Sequence, residues 1–200
     1  MDLIIENVGR RSENWAEEGA PPDVGENSLN GYERNQLFWN LGEGRFVDVG
    51  YLTYSNRVED GRGVAVADFD RDGRLDLLLQ NLEKPAVLLM GRGEAGAWLQ
   101  VRLEGTVSNR DAIGAVVTVE SAGRRQVRQV AAGSGFLSTS SPVLHFGLAE
   151  AEQVDSLEVR WPSGQRTLRT DVAANQRLHI VESLPVAASG GAPEASQVSR

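Results

Sequence analysis

The apolar residues of this 200-residue chain come in short runs broken by turn residues, and none of them sustains a helical period. From Leu37 onward the runs are Leu37-Phe38-Trp39, Phe46–Val49, Gly63–Ala67, Leu75–Leu79 and Ala86–Met90. Beyond Gly93 they lengthen and alternate: Trp98–Leu103, Val117–Glu120, Val127–Val130, Leu157–Trp161 and Leu178–Val181. A period of two with one apolar face is the mark of a half-buried strand. Turn signals such as Asn40-Leu-Gly-Glu-Gly44, Ala122-Gly123 and Pro162-Ser-Gly164 punctuate the runs at the spacing of a sandwich or barrel. The pattern predicts an all-β chain with a boundary near residue 95. Residues 9–35, rich in Gly, Pro, Asn and Glu, read as loop. Residues 185–200 carry too little apolar surface to offset their ordering entropy and read as a disordered tail.

The charge is uneven. Residues 1–95 hold 18 acids and 10 bases, whereas residues 96–200 hold 10 of each. No basic face is available for phosphate, which argues against a nucleic-acid partner, while the acidic half suits a cation. Lys84 is the sole lysine and there is no cysteine, so thiolate ligands and thiol nucleophiles are excluded. No apolar run is long enough to span a bilayer. The opening Met-Asp-Leu-Ile-Ile-Glu lacks the basic and apolar regions of a signal peptide.

The acids are concentrated in Asp68-Phe-Asp70-Arg-Asp72-Gly73-Arg74-Leu-Asp76. Alternate spacing can turn several carboxylates toward one centre, Gly73 permits a sharp turn, the Arg74 carbonyl can add an oxygen, and Asp76 can close the shell. Hard cations such as Ca²⁺ take six to eight oxygens of this kind at about 2.3–2.6 Å. Without a cation these carboxylates repel one another. The loop departs from the EF-hand, whose twelfth position is Glu; here that position is Leu79, and the flanking runs read as strands. A strand running into Asp68-x-Asp70 also resembles the nucleophile motif of haloacid-dehalogenase phosphatases. That reading leaves Asp72 and Asp76 unexplained and needs an α/β sheet.

Two stretches resemble known families. Asn35–Val49 together with Gly61–Asp76 resembles the FG-GAP/VCBS repeat, whose copies form blades of β-propellers such as integrin α-subunit heads. The resemblance implies Ca²⁺ bound by Asp68, Asp70, Asp72 and Asp76, with Arg74 through its carbonyl. Trp98–Gly105, Ser108–Ala115, Gly133–Phe136, Leu144–Leu148 and Val159–Gly164 resemble, in order, the ASPIC/UnbV domain. About 60 patterned residues supply only one or two blades, so the chain is expected to be a piece of a longer propeller or to pack its blade remnant against the sandwich. The family's usual export implies an extracytoplasmic location.

Other features are weaker. Gly91-Arg-Gly93-Glu-Ala-Gly96 fits a dinucleotide fingerprint only formally, because a strand rather than a helix follows; it reads as an interdomain linker. His145 and His179 lie in strand-like runs and read as structural. Ser134, between glycines, reads as part of a tight turn rather than a nucleophile elbow. Trp98 and Trp161 read as core or rim packing, although these residues, Trp15 and Trp39 could also stack on sugars. Asn109-Arg110-Asp111 suits equally a loop that bonds its own backbone or a ligand contact.

The expectation is therefore an all-β protein: a partial propeller blade region with a calcium loop (1–95), a β-sandwich (96–184) and a tail (185–200). Its expected role is non-enzymatic, with Ca²⁺ stabilising the acidic loop and a protein or glycan as partner. The alternative is an accessory or substrate-binding part of an enzyme acting on carbohydrate or a small metabolite.

Overall fold

A computed structural model describes residues 34–94, 96–136 and 138–184, and the backbone of residues 3–6. The expected tail and Trp15 lie outside the described residues, as does almost all of the loop expected over 9–35. Every regular element among the described residues is a strand.

The first half forms two small antiparallel sheets. In one, β1 (Leu3–Glu6), β2 (Gln36–Gly42) and β3 (Arg45–Asp48) lie in that order. The β2–β3 connection is the hairpin read from the sequence: Gly42, Glu43 and Gly44 all take positive φ, and the Asn40 side chain accepts the Gly42 amide at 2.8 Å. In the other, β4 (Gly61–Ala67), β5 (Asp76–Asn81) and β6 (Val87–Leu89) pair with Ala67 opposite Asp76 and Leu78 opposite Leu88. The acidic loop is the β4–β5 connection.

The second half is a two-layer sandwich. One sheet has the order β10 (Leu144–Ala149), β7 (Ala97–Glu104), β13 (Gln176–Val181). The other runs β12 (Arg166–Ala173), β11 (Gln153–Arg160), β8 (Val116–Ser121), β9 (Arg124–Gln129). All pairings are antiparallel except β13 on β7, which is parallel with Leu178 opposite Val101. Ala122 and Gly123 both adopt positive φ at the β8–β9 turn, the geometry whose twist matches a tight hairpin.

Alternation decides which side chains meet. Leu99, Val101 and Leu103 face inward with Phe146, Val117, Val119, Leu157, Val159 and Ile180, and form one buried cluster. Trp161, expected as core or rim packing, is 2% exposed in that cluster, with its indole N–H donated to Thr167 Oγ1 at 2.9 Å. Every residue of the cluster lies in the second half. The first half buries Leu37, Val49 and Leu79 outside it, and all seven residues of β4 are only half-buried. Burying such side chains contributes about 1.5–3 kcal/mol each, so the sandwich holds most of the apolar stabilisation among the described residues.

The halves touch. The Ser141 amide donates to the Val66 carbonyl at 3.1 Å, and the Val66 amide donates to Ser140 Oγ at 3.2 Å. A loop of the sandwich thereby satisfies backbone groups on β4, the edge strand of its sheet.

Candidate metal centre

The β4–β5 ladder delivers Asp68 just after one strand and Asp76 at the start of the next. Three of the predicted carboxylates converge: Asp68, Asp70 and Asp76 each present an oxygen within 4.8 Å of the others. Burial grades from Asp70, which is exposed, through Asp68 to Asp76, which is 1% exposed.

Backbone amides hold the deeper two. Asp76 accepts the Phe69 amide on Oδ2 at 2.7 Å and the Gly91 amide on Oδ1 at 2.8 Å. Asp68 accepts the Asp72 amide on Oδ1 at 3.1 Å and the Gly73 amide on Oδ2 at 3.0 Å. Asp70 accepts only the Asp72 amide, at 3.3 Å. Each carboxylate has about four acceptor directions, so the set retains free lone pairs, with the largest share on Asp70.

Asp72 and Arg74 are placed differently. The Arg74 guanidinium pairs with Asp72 Oδ2, and the Arg74 amide donates to Asp72 Oδ1 at 2.9 Å. That amide and guanidinium hold the Asp72 carboxyl below its ordinary pKa. The same guanidinium donates to the carbonyls of Gly91 at 3.2 Å and Gly93 at 3.3 Å. Gly91 and Gly93 are thus fastened to the acidic loop, and a strand, β7, rather than a helix follows them.

The donor set fits a hard cation. It consists of carboxylate oxygens, with no nitrogen or sulfur. Two oxygens bound to one Ca²⁺ stand at most about 5 Å apart, twice the bond length, and the observed convergence lies inside that limit. Asp68, Asp70 and Asp76 are the residues that would hold the ion.

The outer face of the sandwich sheet closes over the loop. Trp98 and Gln100 alternate with the inward-facing Leu99 and Val101, and His145 lies opposite Gln100 in the register. Gln100, 5% exposed, donates its Nε2–H to Asp68 Oδ2 at 2.6 Å. The Trp98 indole lies against Gly73, where a β-carbon would come within 2.0 Å of the indole Nε1. It also stacks on the His145 imidazole, with centroids 6.4 Å apart. Burial holds the His145 pKa below its ordinary value, against the raising pull of the Asp68 carboxylate. His179 lies further along this sheet, with Nε2 3.2 Å from Glu104 Oε2 on the surface.

The remaining sequence candidates are absorbed locally. Asn109 takes the backbone-bonding role: its side chain accepts the Ile113 amide at 2.8 Å and donates to the Ile113 carbonyl at 2.9 Å. Ser134 Oγ lies 3.0 Å from Ser140 Oγ and accepts the Ser140 amide, also at 3.0 Å. Trp39 is 41% exposed. Sequence reasoning missed Gln100 and Glu182. Gln100 carried one signal, a polar residue on the non-core face of an alternating strand; Glu182 carried none.

The described residues thus form a small β-sheet region carrying an acidic loop, joined to a β-sandwich. Residues 25–79 match the FG-GAP-like repeat family, and residues 105–185 match the ASPIC and UnbV family. The chain carries an FG-GAP-like repeat followed by an ASPIC/UnbV domain. It is similar to cartilage acidic protein 1 of Xenopus tropicalis, at 40% identity over 113 residues, which is 53% of this chain and 17% of the relative. The mouse protein of that name is 36% identical and the human one 38%, each over 129 residues, or 62% of this chain. The match covers 20% of the mouse relative and 19% of the human one, so the chain spans about a fifth of their length. Trp98 and Gln100 fall between the two matched segments.

Proposed function

We propose that the chain is a non-enzymatic Ca²⁺-binding module, a blade-like region over residues 1–95 joined to a sandwich over 96–184, that works outside the cytoplasm through contacts with a protein or glycan. The observation that carries the cation is the convergence of the Asp68, Asp70 and Asp76 oxygens within 4.8 Å on a loop pinned by backbone amides. Neutralising three crowded carboxylates removes their repulsion, so binding and local order are coupled. The exported habit of the resembled repeat supports the location. Exposed aromatics, Tyr51 at 67%, Tyr54 at 80% and Phe136 at 68%, supply side chains of the kind enriched at contacts. The packing of His145 on Trp98, and the surface pairing of His179 with Glu104, support structural histidines. Among the described residues no helix is long and apolar enough to cross a membrane.

The test is thermal melting in EDTA and then in Ca²⁺. At a hundred times Kd the ion adds about 2.7 kcal/mol, a rise of roughly 5–10 °C for a chain of this size. An unchanged midpoint would sink the cation reading. Immobilised glycans and extracellular proteins then separate the two partner classes.

A further inference from the structure

Asp68 is the one carboxylate of the cluster seen to be gripped from the other half of the chain. Its Oδ2 accepts the Gly73 amide from its own loop and the Gln100 amide group from β7, 32 positions away. The Gln100 bond is the shorter, 2.6 Å against 3.0 Å, and Gln100 is buried. The Gln100 backbone is held on both sides, because its strand is central in its sheet, between β10 and β13. Beside it, Trp98 seats the loop at Gly73, and the Trp98 backbone is itself bracketed by Asn175, whose amide donates to the Trp98 carbonyl at 2.6 Å and whose Oδ1 accepts the Trp98 amide at 3.2 Å. On the neighbouring edge, Val66 exchanges hydrogen bonds with Ser140 and Ser141.

We propose that Gln100 is a positioning residue for the cation, holding Asp68 from the sandwich side so that ion binding in the repeat and docking of the repeat on the sandwich strengthen each other. This rests on the Ca²⁺ reading above. The physical argument has two parts. Partners that orient ligating carboxylates from outside the ligand set govern affinity, and losing one typically weakens binding 10- to 100-fold. Coupling between two equilibria is also reciprocal: if docking orients Asp68, an ion that fixes Asp68 favours docking by the same factor.

Calorimetric Ca²⁺ titration of the full chain tests it. Gln100→Leu keeps the side chain's approximate bulk and removes the donor; its Kd should rise about tenfold, towards the lower end of that range. In the double variant with Asp68→Asn, Gln100→Leu should add little further loss, because both changes act through one carboxylate. A Gln100→Leu Kd within about twofold of the parent overturns the proposal while leaving the Ca²⁺ reading intact. A parent chain that binds no Ca²⁺ overturns both. A merely structural Gln100 would lower the melting temperature equally in EDTA and in Ca²⁺ and leave Kd unmoved. Hydrogen exchange on the parent chain reads the coupling without any variant. Ca²⁺ should slow exchange at the Ser141 amide, which bonds Val66 across the contact, as well as within residues 68–76. Protection confined to 68–76 overturns the coupling.

Discussion

Glu182 and Ser108 stand 74 positions apart, yet the Glu182 carboxylate accepts the Ser108 amide at 2.7 Å and its hydroxyl at 2.9 Å. The amides of Thr106 and Val107 donate to the same carboxylate at 3.0 and 2.9 Å, and Ser163 Oγ donates to it as well. Glu182 is 2% exposed. It ties the segment after β7 and the turn after β11 to the end of β13.

This anchor sets an acid limit. Burial pushes the Glu182 carboxyl up, but the Ser163 hydroxyl, the Ser108 amide and hydroxyl and the Thr106 amide together bring it down to about 2, from 4.5. A depressed pKa stabilises the fold above the unfolded value, so the contribution is complete above about pH 4.5 and is lost as pH falls toward 2. The linkage is about 3 kcal/mol. Denaturant melts between pH 2 and 7 should show this loss in the parent and not in Glu182→Gln, which should already be weaker at neutral pH. Parallel pH profiles would refute the assignment.

Gly73 answers to two constraints at once. Its φ is +87°, where a side chain is strained, and the Trp98 ring occupies the space a β-carbon would need. Gly73→Ala should cost about 2 kcal/mol or more in urea unfolding. Adding Trp98→Ala should recover the steric part of the Gly73→Ala effect and leave the backbone part; full additivity would mean the ring does not matter.

Asp70 and Asp76 should separate metal binding from folding. Asp70 is exposed with one hydrogen bond, so Asp70→Asn should leave stability in EDTA within about 0.5 kcal/mol of the parent and abolish the Ca²⁺-induced rise. Asp76 is buried, and amides donate to both its oxygens. Asp76→Asn points an N–H at one of those donors and should cost about 2 kcal/mol even in EDTA. Equal melting temperatures for the two variants in EDTA would contradict this division.

Arg74 gives a prediction with opposite signs in two buffers. It fastens the loop to the Gly91 and Gly93 carbonyls, so Arg74→Met should melt lower than the parent in EDTA. It also neutralises Asp72. Releasing that carboxylate leaves the loop one unit more negative, and the Ca²⁺-induced rise should become larger than in the parent. A smaller rise would show that Arg74 assists the ion.

The sequence made the strands with one clean apolar face legible, because Leu99-x-Val101-x-Leu103 and Leu157-x-Val159 fix their own faces. It hid β12, whose Arg166–Ala173 run is mostly exposed on both sides and so lacks alternation. That the acidic loop joins two strands was legible from its flanking apolar runs, and three of its four carboxylates, Asp68, Asp70 and Asp76, do converge there. That Asp72 pairs with Arg74 follows from two side chains folding toward each other, which spacing does not encode. Gln100 and Glu182 were hidden because most of their partners are remote: Asp68 lies 32 positions from Gln100, and Thr106, Val107 and Ser108 lie 76, 75 and 74 from Glu182.

The parallel pairing of β13 with β7 has a kinetic consequence. Gln176 lies opposite Leu99, so the sheet that carries Trp98 and Gln100 acquires its second neighbour only when the last described strand arrives. Closing a loop of that length costs entropy before any contact compensates, and contact order of this kind slows folding. During synthesis the acidic loop leaves the ribosome long before residues 176–181 complete the surface it rests on. The loop therefore gains its finished seat only after residues 176–181 have been made.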